Sequence, residues 1–281
     1  MISQQTRTTN SGTRMGLLKK LRIERLLQRG VRPLLNEFKA ALVALKLGEH
    51  TFPVNDFGDV KFRCRSVREI ILTSDFANEK EALGTFLFLL EPEDVVWDVG
   101  AAFGLFAIHS GAIARKVIAF EPDPESRKRL EGNIEANDQS NRTSVMPLAL
   151  SDSAGEIELF TSGLTGKSPS LEAQDGGHSG KVTVETQTID AVIAGGTTAP
   201  SVIKIDVEGA EAKVLKGATE LLNGPNRPRL IFVEVHPEFL PAFGDSAELV
   251  EELLRSAGYT LIATSRRADQ YHVVATLADQ S

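Results

Sequence analysis

The stretch Val95-Val-Trp-Asp-Val-Gly-Ala-Ala-Phe-Gly-Leu-Phe106 decides the fold. A run of apolar residues with the length of a strand leads into a tight turn, and residues that fit a helix follow the turn. Gly100 permits a ligand to approach the backbone closely, and Gly104 lets the helix begin against the strand. No Gly-Lys-Ser/Thr follows, so this turn does not hold a triphosphate and its magnesium ion. We therefore expect a βαβ unit whose first turn binds another kind of ligand.

Apolar strands alternate with helical stretches along the rest of the chain. This alternation predicts an α/β fold with a mostly parallel sheet and helices on both of its faces. The predicted strands are Val95–Val99, Lys116–Phe120, Ser144–Leu148, Ser201–Ile205, Leu230–Val235 and Tyr259–Thr264, with His272–Ala275 as a candidate for the last. The predicted helices lie near 79–90, 104–114, 124–136, 210–222 and 246–257.

The first 78 residues are predicted to form a tail and an N-terminal extension, and the main domain is predicted to span 79–281. Residues 1–13 are polar without periodicity, which predicts a disordered tail. Two amphipathic helices near 14–29 and 33–48 should follow, and short strands after them. The strands are expected at Thr51–Val54, Val60–Arg63 and Glu69–Leu72.

Charge is unevenly distributed between the extension and the main domain. Residues 1–50 contain ten Lys/Arg and three Asp/Glu, whereas 35 acidic and 21 basic residues follow them. The basic helices suit either a cap packed on the domain, which we favour, or contact with a protein partner or a membrane surface. The acidic main body argues against nucleic-acid binding.

Composition excludes several further classes of protein. Cys64 is the only cysteine, so neither an internal disulfide nor a thiolate zinc finger can form, and a cytoplasmic location is expected. The longest apolar run, Ala40–Leu45, is far shorter than the about 20 residues that a membrane-spanning helix needs.

An acidic residue follows the second predicted strand, in Ala119-Phe-Glu-Pro122. An acid about 20 residues after the glycine turn is where βαβ units grip a ribose diol. Glu121 therefore predicts an adenosine site, although it could instead cap the following helix. Asp98, before the turn, would repel phosphates and suit a cation. A ligand with an adenosine part and a cationic tail without phosphate fits these residues, and S-adenosylmethionine (SAM) is the obvious candidate.

The third predicted strand leads to Ser151 and Asp152, which either meet the adenine or form a plain turn. The candidate cofactor-binding residues are Asp98, Gly100, Ala101, Gly104, Glu121, Pro122, Ser151 and Asp206.

The fourth and fifth predicted strands end in ionisable residues. Lys204 and Asp206 share one face, as do Glu234 and His236, because side chains alternate along a strand. Ligands of parallel sheets bind at the carboxyl ends of the strands, so a functional cluster is predicted there. The alternative is a structural ion pair of Lys204 with Asp206 or Glu234. Just beyond the fourth strand, Glu208 is within reach of the site.

Five short segments of the chain occur in a fixed order: Asp-Val-Gly-Ala-x-x-Gly (98–104), Phe-Glu-Pro (120–122), Ala-Leu-Ser-Asp (149–152), Lys-Ile-Asp-Val-Glu-Gly-Ala-Glu (204–211) and Glu-Val-His (234–236). Together they resemble the FkbM-type SAM-dependent methyltransferases. The resemblance covers roughly residues 79–240 and implies a class I Rossmann-like enzyme that methylates an oxygen of a small acceptor such as a sugar or a natural product. Ala102-Phe103 departs from the Asn-Ile that the family shows more often, which leaves the turn intact.

Methyl transfer to a hydroxyl needs alignment of the reactants and a general base. His236, whose ordinary pKa lies near neutrality, and Asp206 are the candidate bases, and one of them could orient the other. Glu234 would position the base or, with Asp206 and His236, bind a divalent metal, although we favour a site without metal. Lys204 and Glu208 complete the candidate catalytic set.

Two other functions compete with methyl transfer. An NAD-dependent dehydrogenase is disfavoured because the third glycine of the dinucleotide motif is missing and Asp98 precedes the turn. A degenerate SAM-binding module that docks a partner through the basic helices is disfavoured by the intact polar cluster. A nucleic-acid methyltransferase is disfavoured because the chain contains only two Tyr and one Trp that could stack on bases.

The Gly- and Ser-rich loop 161–180 is expected to close over the acceptor.

Overall fold

The computed structural model describes residues 49–65, 67–74, 79–161, 180–264 and 270–277, together with residue 41. The predicted tail, the two basic helices apart from residue 41, and loop residues 162–179 lie outside this part of the chain. The strands are β1 (His50–Val54), β2 (Val60–Cys64), β3 (Val95–Val99), β4 (Lys116–Phe120), β5 (Thr143–Met146), β6 (Ala149–Leu150), β7 (Gly155–Thr161), β8 (Gly180–Gln187), β9 (Val202–Ile205), β10 (Leu230–Val235), β11 (Tyr259–Thr264) and β12 (Tyr271–Leu277). The helices are α1 (Val67–Ser74), α2 (Lys80–Phe88), α3 (Leu105–Gly111), α4 (Pro124–Ala136), α5 (Ile189–Ala194), α6 (Glu211–Lys216), α7 (Thr219–Asn223) and α8 (Ala247–Ser256), with a 3₁₀ helix at Leu240–Phe243.

A seven-stranded sheet lies at the centre, with the strand order β11-β12-β10-β9-β3-β4-β5. The strands from β10 to β5 in this order are parallel, and β12 is antiparallel to both of its neighbours. Along the chain, the first strand of this sheet is β3, in its middle. The chain then adds β4 and β5 on one side of β3 and returns to β9 on the other side. The strand order therefore reverses between β3 and β9, which is where open α/β sheets bind their ligands. The predicted mostly parallel α/β fold is confirmed.

Two apolar cores cover the two faces of this sheet, because successive side chains of a strand point to opposite sides. Val96 belongs to a core built with residues of α2, α3 and α4. Its neighbour Trp97 belongs to a second core built with residues of α5, α6, α7 and α8. Both faces of β3, β4, β9 and β10 are thus buried, which explains why these strands read as continuous apolar runs in the sequence.

The N-terminal strands form an antiparallel hairpin, β1–β2, that lies against α4. Two amide side chains of α4 bind the hairpin backbone: Asn133 Oδ1 accepts from the N–H of Arg63, and Asn137 Oδ1 accepts from the N–H of Lys61, both at 2.8 Å. The hairpin is therefore hydrogen-bonded directly to the sheet-and-helix framework.

The predicted strand Glu69–Leu72 is wrong, because these residues belong to helix α1. A short apolar run fits a buried strand and a buried helix segment equally well. The side chains of Ile70 and Thr73, three residues apart, are both buried, and the Thr73 hydroxyl donates to the Glu69 carbonyl at 2.8 Å, as expected in a helix.

A second, three-stranded sheet with the order β6-β8-β7 was not predicted. The predicted helix 210–222 is also divided into α6 and α7, which meet at Gly217. No helix in the described ranges combines the length and the apolar character needed to cross a membrane.

Candidate active site

A pocket opens at the carboxyl ends of β3, β4 and β9, at the reversal point of the sheet. Its wall contains predicted cofactor residues together with apolar side chains of the second sheet. The predicted residues that line it are Gly100, Glu121, Pro122, Ser151 and Asp206, and other lining residues include Leu148, Leu150, Ile157, Leu159 and Glu208. The predicted residues Asp98, Ala101 and Gly104 are not among its lining residues, so the structure separates the cofactor candidates into two groups.

The glycine turn is shaped by a neighbouring strand as well as by the pocket. Gly100 has φ +78°, and a Cβ added to it would lie 1.8 Å from the carbonyl oxygen of Asp206. The close approach that requires glycine here is therefore that of the chain after β9. Gly104 has φ +98° and precedes the first residue of α3, so the predicted helix start is confirmed.

Glu121 is buried at the end of β4 and holds the turn in place. Its Oε2 accepts a hydrogen bond from the N–H of Ala102 at 2.7 Å, and its Oε1 accepts from the N–H of Asp123 at 2.8 Å. The alternative role of Glu121 as a helix cap is wrong, because the Asp123 side chain caps α4 by accepting from the N–H of Ser126. Burial raises the pKa of Glu121 to about 7, although both backbone N–H groups act in the opposite direction.

Lys204 forms the buried centre of an ion-pair network behind the pocket. Its Nζ lies 3.3 Å from Asp98 Oδ1 and 3.3 Å from Asp206 Oδ2, and it lies 4.9 Å from the ring centre of Phe106. Burial alone would lower the pKa of Lys204, but the charges of Asp98 and Asp206 raise it above its usual value. Lys204 is therefore an ammonium group. The cation beside Asp98 in the structure is this side chain.

Asp206 joins this network to the pocket. Its side chain is 25 % exposed, whereas those of Lys204 and Asp98 are 4 % and 1 % exposed. Burial acts to raise the pKa of Asp206, but the charges of Lys204 and His236 hold it below its ordinary value. The structure therefore presents an ionised carboxylate to the pocket at the end of β9.

His236 follows β10 and faces three carboxylates. Its Nδ1 lies 2.7 Å from Glu211 Oε1, and its Nε2 lies 3.9 Å from Asp206 Oδ1 and 3.8 Å from Glu208 Oε2. Glu211 is fully buried, and its carboxylate is in direct contact with His236. Sequence reasoning placed Glu208 within reach of the site but did not pair Glu211 with His236, because 25 residues separate them.

The charge state of His236 differs from the assumption behind its predicted role as a base. Burial acts to lower the pKa of His236, but the hydrogen bond to Glu211 and the charges of Asp206, Glu211 and Glu208 raise it to about 10. The ring is therefore an imidazolium near neutral pH before any ligand binds. In that state it donates protons and stabilises negative charge, and cannot accept a proton.

Glu234 lies on a neighbouring part of the sheet. Its Oε2 is 3.2 Å from Nε2 of His272, and the two residues are directly opposite each other in the β10–β12 pairing. Among the described residues, the group that could hold a metal consists of Asp206, Glu208 and His236. The metal ligands that the sequence suggests are Asp206, His236 and Glu234. In the structure, Glu208 and not Glu234 completes this group.

The strand order and the pocket at its reversal point define a Rossmann-like protein of the class I methyltransferase type. Within this class the chain belongs to the FkbM methyltransferase family, because the model described as "Methyltransferase FkbM domain" matches residues 98–261.

Several known proteins are similar to this chain. Hexuronic acid methyltransferase AglP from Haloferax volcanii is 32 % identical over 243 residues, which cover 83 % of this chain and 92 % of AglP. The 31-O-demethyl-FK506 methyltransferase FkbM from Streptomyces tacrolimicus is 30 % identical over 208 residues, which cover 62 % of this chain and 75 % of that protein. A crystal structure of a methyltransferase FkbM from Methylobacillus flagellatus KT matches with 17 % identity and a TM-score of 0.46, and the match covers 74 % of this chain and about half (53 %) of that chain.

Proposed function

We propose that this protein transfers a methyl group from SAM to a hydroxyl group of a small acceptor. One observation carries the proposal: Glu121, Gly100 and Asp206 line a single pocket at the reversal point of the sheet. A ribose-binding acid and an acid at the reacting end are what an adenosine cofactor with a cationic tail requires.

The cofactor lies with its ribose against Glu121 and its sulfonium towards Asp206. Each oxygen of Glu121 already accepts one backbone N–H, which fixes the carboxylate and leaves further acceptor capacity for the two ribose hydroxyls. The apolar side chains of Leu148, Ile157 and Leu159 form the wall on which the adenosine packs. The carboxylate of Asp206 is close enough to the pocket to attract the positive sulfur.

The acceptor hydroxyl lies between the sulfonium and the cluster of Asp206, Glu208 and His236. Its oxygen attacks the methyl carbon, the C–S bond breaks with its electron pair on sulfur, and S-adenosylhomocysteine leaves. Asp206 accepts the hydrogen bond of the hydroxyl and takes its proton as the new C–O bond forms. The imidazolium of His236 stabilises the negative charge that develops on the oxygen. Most of the rate enhancement comes from alignment, because the methyl donor is already activated.

The acceptor class that we propose is a sugar or sugar acid. This part of the proposal is supported by the similarity to AglP, whose name describes a hexuronic acid methyltransferase, over 83 % of this chain.

The test is a methyl-transfer assay with isotopically labelled SAM and a panel of glycosides of hexuronic acids and neutral hexoses. We expect a labelled methoxy group in the product, detected by mass spectrometry and NMR. Asp206→Ala should lower kcat by about a hundredfold or more, because its carboxylate takes the proton of the reacting hydroxyl. A labelled product methylated on nitrogen or carbon, or an Asp206→Ala variant of unchanged kcat, would contradict the proposal.

A further inference from the structure

Three side chains of two neighbouring strand ends converge beside the pocket. One oxygen each of Asp206 and Glu208 and one ring nitrogen of His236 lie within 4.8 Å of one another. We propose that these three residues bind a divalent transition-metal cation. The role that we give the metal rests on the proposed function, whereas its binding does not.

The histidine is held in the orientation that a metal ligand needs. His236 is 4 % exposed, and its Nδ1–H is donated to Glu211, which is itself fully buried. This bond leaves Nε2 directed at the two other carboxylates, at distances beyond a hydrogen bond. A cation that binds there would displace the Nε2 proton of the imidazolium. In the described part of the chain, no hydrogen bond reaches Nε2. Metal-binding histidines commonly donate their other N–H to a carboxylate in this way, which fixes the ring and makes it a better ligand.

Further contacts stabilise this arrangement. The ring of Phe239 stacks on the His236 ring with 5.9 Å between the ring centres and 17° between the planes. Oε1 of Glu211 also accepts a hydrogen bond from the N–H of Gly209 at 3.0 Å. The carboxylate that orients the histidine is thus bound to the turn that carries Glu208.

The turn after β9 has an unfavourable backbone conformation that brings Glu208 to the cluster. Glu208 has φ +52°, which is rare for a residue with a side chain, and Gly209 has φ +106°. Such conformations persist where the surrounding structure imposes them, and they concentrate at functional sites. A Cβ added to Gly209 would lie 2.7 Å from Cβ of Phe239, so the turn is closely packed on the segment after His236.

The donor atoms indicate the kind of cation. One imidazole nitrogen and two carboxylate oxygens, with no sulfur, suit Mn²⁺, Fe²⁺, Co²⁺ or Zn²⁺ better than Mg²⁺ or Ca²⁺, which prefer oxygen alone. Nitrogen and oxygen ligands lie about 2.0–2.2 Å from such metals, so a small contraction of the cluster would complete the site. Three protein ligands leave coordination positions open for water or for the acceptor.

The metal would act on the acceptor hydroxyl. An oxygen bound to a divalent cation loses its proton more easily, so the hydroxyl would attack the methyl carbon as a better nucleophile. The C–S electron pair still leaves with sulfur, and the hydroxyl proton passes to a carboxylate of the cluster or to water. An acceptor with two adjacent oxygens would bind in both open positions and be oriented by them.

The experiment is a titration of the full-length, untagged protein with Mn²⁺ after treatment with EDTA, followed by the electron paramagnetic resonance signal of free Mn²⁺. We expect one Mn²⁺ per chain. Asp206→Asn, Glu208→Gln and His236→Gln should each weaken binding by more than about tenfold, and Glu211→Gln by about tenfold. The matched control is Glu238→Gln, an exposed carboxylate two residues from His236. It should leave the affinity unchanged. Thermal unfolding of each variant checks that it folds.

Two results would overturn the metal site: no saturable binding of Mn²⁺ to the wild-type protein, or an affinity that the three cluster variants leave unchanged. SAM binding and methyl transfer by the EDTA-treated protein are measured in parallel. Methyl transfer without bound metal would overturn the role that we give the metal in the reaction, and would leave the proposed function intact. Saturable Mn²⁺ binding in a protein that binds no SAM would support the metal site and count against the proposed function.

Discussion

Two acidic residues of the pocket, Glu121 and Asp206, differ in charge before any ligand binds. The pKa of Glu121 is raised to about 7 because the residue is buried, and the nearby carboxylates of Asp123 and Asp98 add to this effect. The pKa of Asp206 is lowered below its ordinary value in spite of burial, because Lys204 and His236 lie close to its carboxylate. The ribose-binding end of the pocket is therefore sensitive to pH near neutrality, whereas the reacting end carries its negative charge throughout that range.

This difference predicts that the affinity for SAM rises with pH. Only the ionised carboxylate of Glu121 can accept hydrogen bonds from both ribose hydroxyls, and ionisation increases as pH rises through about 7. We expect the Kd for SAM to fall by about tenfold between about pH 6 and about pH 8. Calorimetric titrations across this range measure it, with Glu121→Gln as the reference because that variant cannot ionise. An equal pH dependence in both proteins would show that another group is responsible.

The sequence predicted where the important side chains are, but not their charge states. Glu121, Asp206 and His236 follow strand ends in the linear pattern, so their positions could be predicted from strand alternation and spacing. The pKa of His236 depends on Glu211, whose approach is determined by the turn after β9. Similarly, Glu234 lies opposite His272 through a strand pairing that no local pattern encodes.

At the scale of secondary-structure elements, the turn between β9 and α6 determines the geometry of the reacting end. It carries Glu208 and Gly209 in the left-handed region and packs against the segment after β10. The end of the same strand also lies against Gly100 of the glycine turn. The two turns that form the pocket therefore depend on each other.

Replacing Gly209 by alanine tests how much the close packing of the turn after β9 contributes to stability. The new Cβ would meet Phe239 at 2.7 Å in addition to the strain of a positive φ. Gly196→Ala is the matched control, since Gly196 also has a positive φ, of +97°, but nothing lies within 4 Å of its added Cβ. We expect Gly209→Ala to lower the free energy of unfolding by ~1–3 kcal/mol more than the control does, measured by urea denaturation. Equal losses would mean that the packing of this turn contributes little.

The elements that the sequence predicted best are those buried on both faces. The bounds of β3, β4 and β10 agree with the predicted strands because continuous apolar runs between glycine and polar residues leave little choice of register. The bounds of the edge strand β11 also agree, although its Ile262 is exposed. The strands β7 and β8 were missed although Lys181 to Gln187 alternates between polar and apolar residues. Their pairing spans loop 162–179, and a long loop of Gly and Ser gives no local hairpin signal.

At the scale of the whole molecule, Asn133 connects three parts of the structure. It is fully buried in α4, and its Oδ1 accepts from the N–H of Arg63 in the N-terminal hairpin. Its Nδ2 donates to the carbonyl of Phe103 in the glycine turn at 2.8 Å. The hairpin, the helix and the turn thus share one side chain.

We expect Asn133→Ala to lower the free energy of unfolding by about 1–3 kcal/mol, because it leaves the half-buried N–H of Arg63 and the half-buried carbonyl of Phe103 without their partner. Hydrogen exchange at the amide of Arg63 should become faster. Asn141→Ala, at an exposed position after α4, serves as the control and should change neither quantity. Unchanged exchange at Arg63 in the Asn133 variant would show that the hairpin is held by its other contacts.

The central claim is that the pocket at the reversal point of the sheet binds SAM through Glu121. The most direct measurement is a calorimetric titration at about pH 8 of the wild-type protein and Glu121→Gln with SAM and, separately, with NAD. The matched control is Glu131→Gln, an exposed acid on α4. We predict micromolar binding of SAM to the wild-type and control proteins, a Kd about ten- to a hundredfold weaker for Glu121→Gln, and no binding of NAD. Binding of NAD in place of SAM, or an equal affinity for SAM in Glu121→Gln, would contradict the account.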